Sequence, residues 1–355
     1  MTRRGFLLVN LGTPAAPTVP AVRRYLREFL WDARVLDINP LLRAILLYGF
    51  ILPTRPRSSA HAYRSIWSER GSPLLAHGDD LAANLGRCLG DDWQVELGMR
   101  YQQPSIAGAL ARFRQKAIHQ IVVFPLFPHY SAAAWESAVE KVYSEASKLW
   151  DVPALQVVPP YYDHAAFIGA FAAVAQRALD TTRADKVLFS YHGLPERQIL
   201  KSDASGAHCL TGGCCDAVSE RNRNCYRAQC FATSRALAAR LRLPAAGCET
   251  TFQSRLGRIP WIRPYTDERV RALAQSGVRR LAVLCPSFTA DCLETLEEIG
   301  IRARADFIAH GGEELVLVPS LNSEAVWVDA VIRIAGDTAD LRLQTTSQAP
   351  DVTRR

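Results

Sequence analysis

The sequence lacks any block of Lys and Arg: its 42 basic residues are scattered among 35 acidic ones, leaving a net charge of +7. With no aromatic motif of the RNA-binding kind either, it argues against nucleic acid as a partner, and a diffuse positive field suits anionic small molecules or anionic lipid better. Neither GxGxxG nor a GxxxxGKS/T loop occurs, so a nucleotide cofactor has no support. An export signal is missing too. MTRRG carries the positive charge of one, but the apolar run from Phe6 to Leu11 stops at Gly12, Thr13 and Pro14, short of the roughly 7 to 15 residues an h-region needs. The expected location is therefore cytoplasmic. There is no short-period repeat, and the polar segment Asp337 to Arg355 reads as a disordered tail.

What the chain has is enough apolar content, 48% of 355 residues, for about two domains of the usual 100 to 200 residues. Short runs rich in Val, Ile and Leu alternate with helix-like stretches, the pattern of βα units around parallel sheets buried on both faces. Strands are predicted at residues 6–10, 94–98, 120–124 and 155–158, then at 186–190, 249–252, 281–284 and 303–309. Four and four imply two similar lobes, residues 1–162 and 163–336, divided where PPYYDH (Pro159 to His164) interrupts the pattern. Ligands of such folds sit beyond the carboxyl ends of the strands. Most distinctive segments fall there: NLGTP, MRYQQP, FPLFPHYS, SYHGLP, TFQSRLGRIPW and CPSFTADCLETLEEIG.

LLRAILLYGFIL, from Leu41 to Leu52, is too short to cross a bilayer, which takes about 20 residues. It fits either a buried core helix or a lip that dips into a membrane interface, with Trp31, Tyr48, Arg55 and Arg57 as compatible anchors.

His192 follows the strand at 186–190 and precedes Gly193 and Pro195, on a rigid turn at the active edge. It is either a turn histidine satisfied by backbone or a neutral imidazole serving as base or metal ligand. Glu294 and Glu298 are four apart on a helix predicted over 290–299, hence on one face. They could relay protons or bind a cation; alternatively Asp291 and Glu294 form a capping box. Tyr101, Phe127, Tyr130, Trp135, Phe252, Trp261 and Phe288 gather at the same edge, and Arg100, Arg255 and Arg258 are placed to meet carboxylates of a flat apolar ligand.

Five cysteines, Cys209, Cys214, Cys215, Cys225 and Cys230, fall within 22 residues. In a reducing cytosol such a cluster reads as thiolate metal ligands before disulfides. The spacing matches no standard zinc finger; zinc with His208 as a further ligand, or a redox-active set, stays open. Cys88, Cys248, Cys285 and Cys292 read as ordinary buried or pocket cysteines.

In order and spacing, NLGTP, YRSIWSERGSPLL, RYQQP, FPLFPHYS, SYHGLP, TFQSRLGRIPW and FTADCLETLEEI resemble the motifs of ferrochelatase, which inserts ferrous iron into protoporphyrin IX. The resemblance covers about Phe6 to Ile334 and looks closer to the proteobacterial branch than to the coproporphyrin-using one. It implies two flavodoxin-like (Rossmann-like) α/β lobes, each a parallel four-stranded sheet flanked by helices, with the porphyrin in the cleft between them. It places the catalytic histidine at His192 and the pocket carboxylates at Glu294 and Glu298, with His192 and Glu294 as metal-contacting groups. Leu11, Arg100, Tyr101, Tyr130 and Trp261 become substrate-binding positions. Residues 36–53 correspond to the family's apolar lip, which implies peripheral contact with the inner face of the cytoplasmic membrane. Cys292 departs from the histidine of animal members, which puts any metal-path role there in doubt.

Some members carry a 2Fe-2S cluster, and the resemblance implies one in the insert over about 203–230, held by Cys209, Cys214, Cys215 and Cys225 with Cys230 as the spare. The expected reaction is metallation of protoporphyrin IX to protohaem, the last step of haem biosynthesis. The alternatives are a cobalt or nickel chelatase of another tetrapyrrole and a tetrapyrrole-binding iron-sulfur sensor.

Overall fold

A computed structural model describes residues 3–339 apart from Arg258. One parallel sheet holds β1 (Arg4–Gly12), β2 (Trp93–Tyr101), β3 (Gln120–Pro125) and β4 (Ala154–Val157) in the order β2-β1-β3-β4. The other holds β5 (Lys186–His192), β6 (Cys248–Gln253), β7 (Arg280–Leu284) and β8 (Glu314–Leu317) in the order β6-β5-β7-β8. The second order is the first shifted by four strands, so both halves repeat one topology. Helices cover both faces, which is why consecutive residues Phe6, Leu7, Leu8 and Val9 are all buried. The register ends with Gly12 beside Tyr101 in one sheet and His192 beside Gln253 in the other.

Seven of the eight predicted strands lie on observed ones. The strand predicted over 303–309 does not: Arg304–Ala309 is helical, continuing a π-helical stretch over Leu293–Ala303. Phe307 alone in that segment is fully buried, while Ile308 is exposed. The chain then turns at Gly311, whose φ of +107° suits glycine, and the strand follows as Glu314–Leu317 with Leu315 inward.

The lobes share one apolar core, which runs from Phe6 and Leu8 to Phe189 and Tyr191. Helix Ala325–Ala339 packs along helix Ala165–Thr182, and its buried Trp327 meets Phe124 of β3 edge-on at 6.1 Å. This last helix takes in the start of the segment expected as a tail; residues 340–355 lie outside the described residues.

Residues 40–66 form a continuous helical arm, α-helical over Pro40–Ala44, π-helical over Ile45–Ile51 and α-helical over Leu52–Ile66. The buried-core reading of this arm is overturned. Leu41 (69% exposed), Leu42, Ile45, Leu46, Tyr48 and Phe50 (64% exposed) face outward, and Leu47 and Leu52 hold the inner side. Arg43 is buried at its base and donates to the carbonyls of Trp31, Leu36 and Ile38, so its donors are met by backbone acceptors of the segment that leads into the arm. Among the described residues no helix is long and apolar enough to cross a membrane.

Candidate active site

His192 ends β5, and its peptide is held at every polar atom. Its N–H donates to Ser287 Oγ (3.3 Å), its carbonyl accepts from Tyr226 OH (2.8 Å), and the next N–H, of Gly193, donates to Gln253 O (2.8 Å). A Cβ on Gly193 would lie 2.8 Å from Gln253 O and 3.2 Å from the Trp261 ring, so glycine is what allows this close turn. The imidazole Nδ1 lies 2.6 Å from Gly193 O. A carbonyl can only accept, so Nδ1 carries the proton and Nε2 keeps its lone pair. The ring packs near Phe288, with centroids 6.4 Å apart.

Gln253 ties this turn to the glutamates. Its Oε1 accepts from Ser190 Oγ (2.7 Å), and its Nε2 donates to the backbone carbonyl of Glu294 (2.7 Å) and approaches Glu298 Oε2 at 3.4 Å. Ser254, at a left-handed φ of 66°, donates both its N–H and its hydroxyl to Glu298. A non-glycine residue held in that region is the kind of local strain found where geometry serves a site.

The capping box lies one residue later than Asp291 and Glu294 would place it. Cys292 is the N-cap, Thr295 closes the box, and Asp291 instead accepts from Thr295 Oγ1 (3.0 Å) and Asn322 Nδ2 (2.8 Å). Glu294 is thus released from capping duty. Its carboxylate lies within electrostatic reach of three residues of the N-terminal lobe, Tyr25, Arg55 and Tyr63, that sequence reasoning did not assign to the site. Burial, and after it Tyr63 and Glu294, raise the hydroxyl pKa of Tyr25; burial, then Glu294, do the same for Tyr63. Burial lowers the guanidinium pKa of Arg55, with Glu294 opposing. The one sequence signal for Arg55 was its place after the lip, which pointed to a membrane rather than to this carboxylate.

The expected substrate-binding positions divide. Leu11 is half-buried and packs against the apolar cluster that includes Tyr101. Trp261 packs against the His192 turn with its indole N–H donated to Leu256 O (2.9 Å). Tyr130 donates to Glu136 (2.9 Å), and burial pushes its pKa up to about 12. Tyr101 is fully buried, its hydroxyl on Asp32 Oδ2 at 2.8 Å, and Arg100 is paired with the same oxygen at 2.6 Å. Burial works to raise the Asp32 carboxyl pKa, yet hydrogen bonds from Ser137, the Arg34 N–H and Tyr101, with the Arg100 charge, hold it below the usual range. Arg255 is likewise paired, with Asp267 and Glu268, and Arg258 lies outside the described residues. Arg100 and Arg255 are therefore each paired with protein carboxylates, Arg100 on the largely buried Asp32 and Arg255 in a more exposed pair.

All five clustered cysteines are buried free thiols. Cys214 and Cys215 sulfurs are 3.6 Å apart, and Cys225 interacts with both Cys209 and Cys215. Burial raises the thiol pKa of Cys209 and Cys214, and the bond to Cys225 followed by burial raises that of Cys215. Against this, Arg227 Nη1 donates to Cys215 Sγ at 3.1 Å. His208 Nε2 is buried without a hydrogen-bond partner. Among the described residues no three or more His, Cys, Asp or Glu side chains are placed to hold a metal ion.

Comparison with known proteins bears on what this edge does. The family model described as Ferrochelatase matches residues 3–338. The ferrochelatase of Coxiella burnetii (strain Dugway 5J108-111) is 46% identical over 95% of this chain and 94% of its own, and that of Legionella pneumophila (strain Corby) is 46% identical over 94% and 99%. A solved structure of SirB from Bacillus subtilis with Fe3+ aligns over 97% of this chain and 99% of that one, at TM-score 0.49 and 12% identity. The family-model match over residues 3–338 and the 46% identity to these two relatives over nearly the whole chain show that the protein belongs to the ferrochelatase family.

Proposed function

We propose that the His192 edge carries out the family's reaction, the insertion of ferrous iron into protoporphyrin to make haem, with His192 as the base and Glu294 and Glu298 as the charge-conducting carboxylates. The observation that carries this reading is the clamped His192 peptide, which leaves Nε2 as the free acceptor of a fixed tautomer. Metallation replaces two pyrrole N–H protons with iron. Nε2 is the atom to receive a proton, and the Gly193 carbonyl on Nδ1–H stabilises the imidazolium that results. Glu298, fixed by Ser254, and Glu294, within electrostatic reach of Arg55 and two tyrosines, give protons or cations a path beyond the histidine. Leu11, Trp261 and Tyr130 are read as walls for the macrocycle. Arg55 is read as the cation for a substrate carboxylate, since Arg100 and Arg255 are otherwise paired.

The four cysteines Cys209, Cys214, Cys215 and Cys225 are read as ligands of a 2Fe-2S cluster. Each iron of such a cluster takes two thiolates, so no three-donor site is required. The residues fit that group: four adjacent buried thiols are costly to ionise alone, and the Arg227 guanidinium already stands on one of them. The exposed arm at 41–50 is read as peripheral contact with anionic lipid.

The test is an anaerobic absorbance assay with protoporphyrin IX and ferrous iron, run in parallel with cobalt and nickel, after recording the as-isolated spectrum. Haem formation supports the reading. Turnover with cobalt or nickel alone would turn it toward another chelatase, and tight porphyrin binding without metallation toward a sensor.

A further inference from the structure

We propose that Tyr226 is a positioning residue for His192, and that the cysteine segment acts on the catalytic turn through it. This rests on the reading of His192 as the base. Tyr226 opens helix Tyr226–Arg240 and directly follows Cys225, the residue that N-caps it. Its hydroxyl donates to His192 O at 2.8 Å. That carbonyl and the Gly193 N–H belong to one planar peptide unit, and the N–H is held by Gln253 O at 2.8 Å. The unit is therefore gripped at its oxygen by the helix of the cysteine segment and at its hydrogen by β6. Rotating it would also move Gly193, whose own carbonyl fixes Nδ1 at 2.6 Å. The grip thus sets both the tautomer and the direction of Nε2.

Tyr226 has little freedom of its own. It is buried, packs edge-on against the His129 ring with centroids 5.9 Å apart, and interacts with Ser287, the residue that accepts the His192 N–H. The chain behind it is tied to the cysteines. Cys225 N–H donates to Asn222 O (2.8 Å), and Asn222 Nδ2 donates to the carbonyls of Cys214 (2.7 Å) and Ala217 (2.9 Å). Any displacement of Cys225 is passed to its covalent neighbour. A buried tyrosine ordinarily finds some hydrogen-bond partner for its hydroxyl; here the partner is the carbonyl of the catalytic turn rather than a remote group.

The experiment uses Tyr226→Phe in the full chain, with the visible spectrum recorded to show that whatever the cysteines hold is retained. Steady-state kinetics with protoporphyrin IX and ferrous iron are combined with 15N-histidine NMR, the His192 signals being assigned by their loss in His192→Asn. The expected result is a fall in kcat of about 3- to 10-fold, the worth of one hydrogen bond, with porphyrin KM changed less than about 2-fold. The NMR signature should shift from a single Nδ1–H tautomer toward a mixture. Unchanged kcat and an unchanged tautomer overturn the positioning role, as does a raised KM at unchanged kcat.

For the link to the cysteines, Cys225→Ser is expected to perturb the same His192 signals, and the double variant no more than either single change. Cys209→Ser serves if that protein does not fold. Independent, additive perturbations overturn the link. The NMR arm does not depend on His192 being the base, so a failure of that assignment and a failure of this proposal give different results.

Discussion

Lowering the pH from 7 to 5 is predicted to remove about 2 kcal/mol of stability through a single residue, His129. It is 2% exposed and enclosed by the rings of Tyr162, Tyr191 and Tyr226. Its Nε2 lies 2.9 Å from Thr233 Oγ1, and that hydroxyl donates onward to Tyr162 O at 2.7 Å. Nε2 therefore carries the proton, while Nδ1 is buried without a partner. Burial lowers the imidazole pKa from 6.5 to about 3. The sign follows from which state takes up the proton first. Below pH 6.5 the unfolded chain binds a proton that the folded chain refuses until about pH 3, so the contribution is fully present above 6.5 and is lost as the pH falls. At pH 5 the gap is about 1.5 pH units, or about 2 kcal/mol at 1.36 kcal/mol per unit. His129→Gln keeps a donor for Thr233 but has no site to titrate. Urea denaturation of both proteins at pH 7 and pH 5 isolates the effect, because all other titrating groups cancel in the difference. If the variant loses as much stability as the parent, the argument is wrong.

Arg100→Leu leaves the Asp32 carboxylate buried without its cation, and with side-chain exposures of 13% and 7% the loss in chemical denaturation is expected at about 3 to 5 kcal/mol. Leu41→Ser with Phe50→Ser removes two of the most exposed apolar side chains of the arm; sedimentation with anionic vesicles is expected to fall at least about 10-fold, at about 1.5 to 3 kcal/mol per inserted side chain, with haem formation in detergent unchanged. Cys225→Ser is expected to abolish the visible absorption of a cluster, whereas Cys230→Ser, although fully buried, is expected to keep it.

Much of the fold was legible because parallel strands covered on both faces leave continuous Val, Ile and Leu runs, as at Phe6 to Val9. The run over 303–309 misled because ADFIA is as apolar as a strand, while the true edge strand ELVL is short and begins with an exposed glutamate. At the site, His192, Glu294 and Glu298 stood out as residue types after strands. What could not be read was long-range: Asp32 binding Arg100, 68 residues away, and Tyr226 binding the carbonyl of a residue 34 positions earlier. Backbone acceptors leave no trace in side-chain patterns. The capping box moved by one residue because a thiol took the N-cap place usually given to Ser, Thr or Asp.

The most direct test of the account compares the parent protein with His192→Ala under anaerobic conditions, following protoporphyrin IX binding by fluorescence quenching and haem formation by absorbance in the same samples. If Nε2 of His192 accepts the pyrrole proton, the variant binds porphyrin with affinity within about 3-fold of the parent while turnover falls by at least about 100-fold, the usual scale of a lost general base. Undiminished haem formation by His192→Ala would contradict the account.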